Sequence, residues 1–220
     1  MKIPVVTNIL KANQQIANDN RSLFTKKGIY VMNLMSSPGA GKTTLLEHTI
    51  GALKDRYRMA VIEGDIQDTC DSERIAAHGI PAVQINTGGA CHLDAPMIHQ
   101  AISSLDLDHL DALVVENVGN LVCPAEFDIG EHDKVMILSV TEGDDKPQKY
   151  PLMFSLSSAL LLNKVDLLPH VSFDMDKAKE VARKLRPGIE IFDVSCTKGS
   201  GLSTWCAWLA RRIDGARAGA

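Results

Sequence analysis

The sequence predicts an α/β fold built on a mostly parallel, doubly wound sheet, and three observations carry that prediction. Seven short runs rich in apolar and β-branched residues recur along the chain. They are hydrophobic on both faces, as strands covered on both sides must be. Segments with helical spacing separate most of them and supply the crossovers that parallel strands need.

The first element is an amphipathic helix. Ile9, Ile16 and Leu23, with Leu10, Ala17 and Phe24 beside them, recur at seven-residue intervals and form one apolar stripe. The stripe either folds back on the domain or pairs with a partner, and Gly28 ends the helix. Residues 1–28 are therefore expected as an N-terminal helical extension and 29–214 as one domain. Within it, strands are expected at 29–35, 59–63, 82–86, 112–116, 134–140, 159–163 and 189–194. Helices are expected at 43–53, 92–105, 174–185 and 201–212. No internal repeat or low-complexity segment interrupts this rhythm.

Composition narrows the function. The 220 residues suffice for one domain with a substantial core. A net charge of -4 argues against broad binding to nucleic acid, which needs a clustered basic surface. No apolar run approaches the ~18 residues of a membrane span, and MKIPVVTNILKANQQ is too polar for a secretory signal. Five cysteines, Cys70, Cys91, Cys123, Cys196 and Cys206, are an odd number without C-x-x-C spacing. They are expected to be reduced, in the cytoplasm, as metal ligands, reactive thiols or buried apolar residues.

The stretch S-S-P-G-A-G-K-T-T, from Ser36 to Thr44, nearly fits G-x-x-x-x-G-K-[ST], with Ser36 replacing the first glycine. It lies between an expected strand and an expected helix, as a phosphate-binding loop must. Gly39, Ala40 and Gly41 would turn backbone N–H groups onto phosphate oxygens, and the start of the helix at Lys42, Thr43 and Thr44 adds its dipole. Lys42 would reach the β- and γ-phosphates and the Thr43 hydroxyl would ligate Mg²⁺. The fold is thus expected to be that of a P-loop NTPase.

The base is read at N-K-V-D, Asn163 to Asp166. The Asp166 carboxylate accepts both the ring N–H and the exocyclic amine of guanine, whereas adenine would leave it unpaired. Lys164 would lie along the base and Asn163 would brace the loop. Ser195 and Cys196, after the last strand, resemble the loop that covers guanine from the other side, with Cys196 as a small backbone-contact residue. Plain packing is the expectation for Cys206.

In E-N-V-G, Glu116 would hold Mg²⁺ and the Gly119 N–H would touch the γ-phosphate. Asp65, in E-G-D, is the further carboxylate expected to serve Mg²⁺ or the attacking water. Asp68 and Asp71 compete for that role, and Asp65 can instead cap a helix. Lys42, Asp65 and Glu116 are the expected catalytic residues. No glutamine is placed to orient water, so hydrolysis of GTP to GDP and phosphate is expected to be slow.

Cys91-His92 lies between a strand and a helix expected to start near Leu93, where the thiol pKa would be lowered. Cys123 lies seven residues after Glu116, at most ~25 Å of extended chain. Two thiolates and an imidazole suit Zn²⁺ with an open position, or Ni²⁺ in a square-planar site completed by another donor. Spacing alone leaves these three equally readable as unrelated buried or surface residues.

The segments E-N-V-G-N-L-V-C-P-A-E-F-D-I-G-E (116–131), N-T-G-G-A-C-H-L-D-A (86–95), S-V-T-E-G-D-D-K-P (139–147) and N-K-V-D-L-L-P (163–169) resemble the nickel-incorporation GTPase family HypB, of the SIMIBI class. The resemblance runs from about Asn8 to Arg212. It implies a metallochaperone that binds GTP or GDP with Mg²⁺, and Ni²⁺ or Zn²⁺ at Cys91, His92 and Cys123. It also implies a nucleotide- and metal-dependent homodimer that delivers nickel to the large subunit of [NiFe]-hydrogenase with a nickel accessory protein. Some family members carry an N-terminal cysteine motif or a histidine-rich tract, and MKIPVVTNIL has neither, which argues against high-affinity nickel storage. The related urease accessory GTPases share the nucleotide motifs but carry Cys-Pro-His instead of Cys-His. A urease-type client, a purely structural zinc, or a nucleotide-binding scaffold are the competing readings. If the resemblance holds, the segment from Glu116 to Cys123 joins a γ-phosphate sensor to a metal ligand, and the two ligands bias one loop reciprocally.

Overall fold

The structure, a computed structural model, describes residues 5–65 and 70–219, with side chains described over 10–65 and 73–219. In chain order the elements are α1 (Val5–Lys27), β1 (Tyr30–Ser36), α2 (Lys42–Leu53), β2 (Met59–Asp65), α3 (Cys70–Ala76), β3 (Ala82–Asn86), α4 (Ala95–Ala101) and β4 (Ala112–Glu116). They continue with α5 (Cys123–Glu126), β5 (Asp133–Ser139), α6 (Lys146–Lys149), α7 (Pro151–Leu156), β6 (Ala159–Asn163), α8 (Met175–Leu185), β7 (Glu190–Asp193) and α9 (Leu202–Ala218).

All seven expected strands form one sheet in the order β3-β2-β4-β1-β5-β6-β7, and every pair is parallel. β1 lies at its centre, between β4 and β5, and all seven of its residues are buried. The chain leaves β1 towards one edge and later returns past it to build the other. That reversal opens a crevice at the C-terminal ends of the strands, beside the loop that follows β1. Leu45, Leu46, Trp205 and Leu209 of α2 and α9 pack one face, with Trp205 Nε1 donating to Thr49 Oγ1 at 2.9 Å. α1 and α4 cover part of the opposite face with Phe24 and Ile98.

Two elements depart from expectation. The helix expected over 92–105 is α4 alone, followed by a 3₁₀ turn over Ile102–Ser104. Asp94 caps it, accepting from Met97 N–H at 2.9 Å, so Cys91, His92 and Leu93 stay in the preceding loop rather than at the helix start. The buried face of α1 is also rotated from the expected stripe. Ala17 and Phe24 are fully buried, but they share that face with Asn13 and Asn20, while Leu10 is exposed. The helix folds back on the domain, and Gly28, at φ 65°, ends it with N–H bonded to Thr25 O at 3.1 Å.

Gly201, which opens α9, has φ 74°, and a Cβ there would lie 2.0 Å from the Asp193 carbonyl oxygen. Gly201→Ala is expected to destabilise the fold by roughly 1–3 kcal/mol through backbone strain. A lowered Tm and urea midpoint would register it; unchanged values would show that the β7–α9 turn has room to relax.

Candidate functional site

Three clusters form around the C-terminal ends of the strands. The first is the loop between β1 and α2. Gly39 (φ 74°) and Gly41 (φ 99°) adopt the left-handed conformation that turns backbone N–H groups to one side. At Gly41 the space is also closed: a Cβ would lie 2.6 Å from Asn163 Nδ2. Lys42 Nζ donates to Ser36 Oγ at 3.1 Å, and Thr43 Oγ1 donates to Glu116 Oε1 at 2.9 Å. Thr44 faces a second opening of the same crevice, near Arg74.

The adjoining cleft, of about 300 Å³, is lined by Pro38, Gly39, Lys42, Glu63, Asp65 and Glu116, with Gly119 at its wall. Register explains the carboxylates. Glu63 of β2 is the direct neighbour of Glu116 of β4, and Asp65 follows on the same face two residues later. One ammonium therefore faces three acidic side chains, a setting that suits a hydrated Mg²⁺ carrying phosphates. Glu63 is absent from the sequence reading. Asp68 and the side chain of Asp71, the competitors of Asp65, lie outside the described residues. Gly119 packs so tightly that a Cβ would lie 2.9 Å from Pro38 N, holding the E-N-V-G turn against the phosphate loop. Glu142, also missed, accepts from Ser37 Oγ and, at 2.8 Å, from Ser139 N–H.

The second cluster joins N-K-V-D to the loop after β7. Asn163 Nδ2 donates to Ala40 O at 2.9 Å and Lys164 Nζ to Gly39 O at 2.7 Å, so both residues brace the phosphate loop. Lys164 itself has φ 62°, a strained value for a side-chain-bearing residue. Ser195 Oγ donates to Asp166 Oδ1, and accepts from Lys198 N–H at 3.1 Å. Cys196 is buried beside Asn163, and burial pushes its thiol up to about 11, which suits a packing and backbone role. Cys206 is buried in α9 within the core.

The third cluster gathers the thiols and imidazole. The Cys91 thiol donates to Cys123 Sγ at 2.7 Å, and Cys91 Sγ lies 3.7 Å from His92 Nδ1. The donor atoms of Cys91, His92 and Cys123 all fall within 4.8 Å of one another, each residue half-buried. The hydrogen bond from Cys91, then burial, pushes the Cys123 thiol up to about 11. Cys91 itself lies before the cap of α4 rather than at the helix start, and a divalent cation bound here would displace the thiol protons. Burial lowers the His92 pKa, favouring the neutral imidazole that a metal requires. The His92 ring stacks on Phe127, centroids 3.8 Å apart. Asn120 Oδ1 accepts from Val122 N–H (2.7 Å) and Cys123 N–H (3.2 Å), fixing the start of α5. The Cys70 side chain lies outside the described residues.

One buried side chain ties the first and fourth strands to this cluster. Asn117, inside E-N-V-G, accepts from Leu93 N–H and from Val118 N–H, each at 3.0 Å, and donates to Asn33 Oδ1 at 3.1 Å. Leu93 in turn fills the space over Gly64, where a Cβ would lie 2.6 Å from its Cγ. Sequence spacing holds no signal for this clamp.

Residues 30–193 match the family model described as "CobW/HypB/UreG, nucleotide-binding domain". The hydrogenase maturation factor HypB of Escherichia coli K12 is 53% identical over 207 residues, which cover 94% of this chain and 71% of that protein. The probable HypB of Methanocaldococcus jannaschii is 41% identical, with 96% of each chain covered. This chain belongs to the HypB family. Among solved structures, HypB from Helicobacter pylori in complex with nickel superposes with a TM-score of 0.88 at 39% identity, covering 93% of this chain and 96% of that one. HypB from Archaeoglobus fulgidus gives 0.87 at 36% identity, covering 92% and 99%. The HypB family is one of P-loop GTPases and hydrogenase maturation factors, which makes guanine the expected base and agrees with the seven-stranded parallel sheet found here. Among the described residues no helix is long and apolar enough to cross a membrane.

Proposed function

We propose that this chain is a GTP-hydrolysing metallochaperone that binds Ni²⁺ or Zn²⁺ and delivers nickel during maturation of [NiFe]-hydrogenase. The observation that carries this reading is the continuity of one short segment. At its start Glu116 receives the Thr43 hydroxyl, and at its end Cys123 meets Cys91. Thr43, Asp65 and Glu116 hold Mg²⁺, Lys42 and Gly119 contact the γ-phosphate, and Asn163, Lys164, Asp166, Ser195 and Cys196 frame guanine. A change at the γ-phosphate moves the E-N-V-G turn, and Asn117 passes that movement to Leu93, the neighbour of His92. Both arms of the metal site then shift together. Among the described residues three donors converge, which leaves a four-coordinate ion one ligand short and suits an ion that is handed on rather than locked in. The reading includes a cytoplasmic homodimer, an accessory nickel protein and the hydrogenase large subunit as partners. Hydrolysis is expected to be slow, because among the described residues that line the cleft none is a glutamine placed for water.

A nickel-loaded sample given GTP and Mg²⁺ in the presence of a chromophoric chelator tests this directly. Nickel release that follows GTP turnover, and is absent with GDP, is expected. Release at the same rate with either nucleotide would leave a GTPase with an unrelated metal. A broader client range is favoured by one relative, the hydrogenase/urease maturation factor of Helicobacter hepaticus, 44% identical over 194 residues. Transfer assays with both apo-enzymes separate the two.

Asp166→Asn is expected to weaken GTP binding by about 10-fold or more while the fold survives, because an amide turns donors towards the donors of guanine. Calorimetry giving equal GTP affinity in the two proteins would remove the guanine assignment.

A further inference from the structure

The metal ligands sit on two separate arms of the chain, and a third element touches both. One arm is the loop carrying Cys91 and His92 into α4. The other is α5 with the loop behind it, carrying Cys123 and the Phe127 ring that stacks on His92. α1 lies across the two. Asn13 Oδ1 accepts from Ala95 N–H at 2.8 Å on the first arm, while its Nδ2 donates to Asp128 O at 2.8 Å on the second. Two turns along, Asn20 Nδ2 donates to Ala95 O (3.1 Å) and Ile129 O (3.2 Å), repeating the same bridge.

Both amides are buried, Asn13 at 5% exposure and Asn20 at 0%, so breaking the bridge would strand polar groups without water. Arg21 Nη2 adds an ion pair, donating to both carboxylate oxygens of Asp128 at 2.6 and 2.7 Å. The approach is close enough to demand glycine: Gly130 has φ 93°, and a Cβ there would lie 2.7 Å from Asn20 Cβ and 2.8 Å from Ala17 O. Polar residues on the inner face of an amphipathic helix cost stability unless they are paired, and here each pairs with both arms.

We infer that α1 is a positioning element of the metal site, and that the Asn13 and Asn20 amides set the separation between the Cys91–His92 arm and the Cys123 arm. Neither asparagine ligates the ion. This rests on the assignment of Cys91, His92 and Cys123 as metal ligands. Removing the bridge leaves the ligands present but lets the arms move apart, so the ion is held less tightly and in altered geometry. The phosphate loop and the guanine cluster make no part of the bridge and keep their affinity.

The test uses the full chain with Asn13→Ala and, from the opposite side of the contact, Gly130→Ala. Ni²⁺ is titrated into each while thiolate-to-nickel charge-transfer absorption is recorded, and GDP affinity is measured in parallel. Nickel affinity is expected to fall by about 10- to 100-fold, the range typical of groups that orient metal ligands. The absorption band is expected to shift, and the GDP affinity of the metal-free protein to stay within about twofold of wild type, since the bridge touches neither the phosphate loop nor the guanine cluster. Wild-type affinity and an unshifted band in either folded variant would overturn the inference. A measurement on the unaltered protein stands beside these: Ni²⁺ is expected to slow amide exchange at Ala95, whose N–H the bridge holds, and unchanged exchange with nickel bound would overturn it too. A wild type that binds neither Ni²⁺ nor Zn²⁺ at these thiols would instead overturn the metal assignment itself, a result separate from the other two.

Discussion

Lys42→Ala is expected to lower GTP turnover by at least about 100-fold, the scale on which a single preorganised donor to a transition-state oxygen acts. Lys42 lines the cleft with Glu63, Asp65 and Glu116, and it is the residue proposed to contact the γ-phosphate. Alanine removes that charge and leaves the carboxylates to oppose an already anionic substrate. The substitution lies on the first helical turn of α2, where alanine is well tolerated, so the fold is expected to persist. Metal binding by the free protein should remain measurable, because the thiols and imidazole lie on other elements. Turnover measured by phosphate release decides the first point. Normal hydrogenase maturation by this variant in cells would show that the nucleotide switch does not drive delivery.

Cys123→Ala should be equally severe at the other site. It deletes one of three convergent donors, and since even the groups behind a ligand are worth about 10- to 100-fold in affinity, losing the ligand itself should cost more than about 100-fold for Ni²⁺ and Zn²⁺. Cys206→Ala is the control. That thiol is packed within the core among Trp205 and Leu209, and its loss should leave metal affinity unchanged. Equal affinity in wild type and Cys123→Ala, by competition with a chromophoric chelator, would remove Cys123 from the site.

The parts of the architecture that were legible in the sequence are those written in local patterns. β1, β2, β4, β5 and β6 announce themselves because parallel strands buried on both faces are continuous apolar runs, whereas the half-exposed edge strands β3 and β7 show as shorter ones. The phosphate loop is legible because glycines at φ 74° and 99° and the following Lys-Thr are constrained within a few residues. Contacts set by register or tertiary packing are not written that way. Glu63 reads as one more strand residue until β2 is paired with β4 and its carboxylate falls beside Glu116. Asn13 and Asn20 read as polar interruptions of an apolar stripe, although they lie on the buried face. The short helices α5, α6 and α7, four to six residues each, are too brief to display a helical period. The over-long helix expected at 92–105 has a local remedy: Asp94 followed by Ala95-Pro96 is a cap signal, with proline favoured in the first turn.

The central claim is that nucleotide and metal bias the same segment between Glu116 and Cys123, assisted by the Asn117–Leu93 hydrogen bond. Reciprocity makes this a statement about equilibrium binding: the nucleotide state must change metal affinity by the same factor by which metal changes nucleotide preference. The most direct measurement is a titration of Ni²⁺ into the apo-protein saturated with GDP, and again with a non-hydrolysable GTP analogue and Mg²⁺. Coupling of ordinary strength predicts nickel affinities that differ by about 5-fold or more between the two states, with the difference lost in Cys123→Ala. Nickel affinities that are identical in the two nucleotide states of the wild type would contradict the account, even with all three ligands in place.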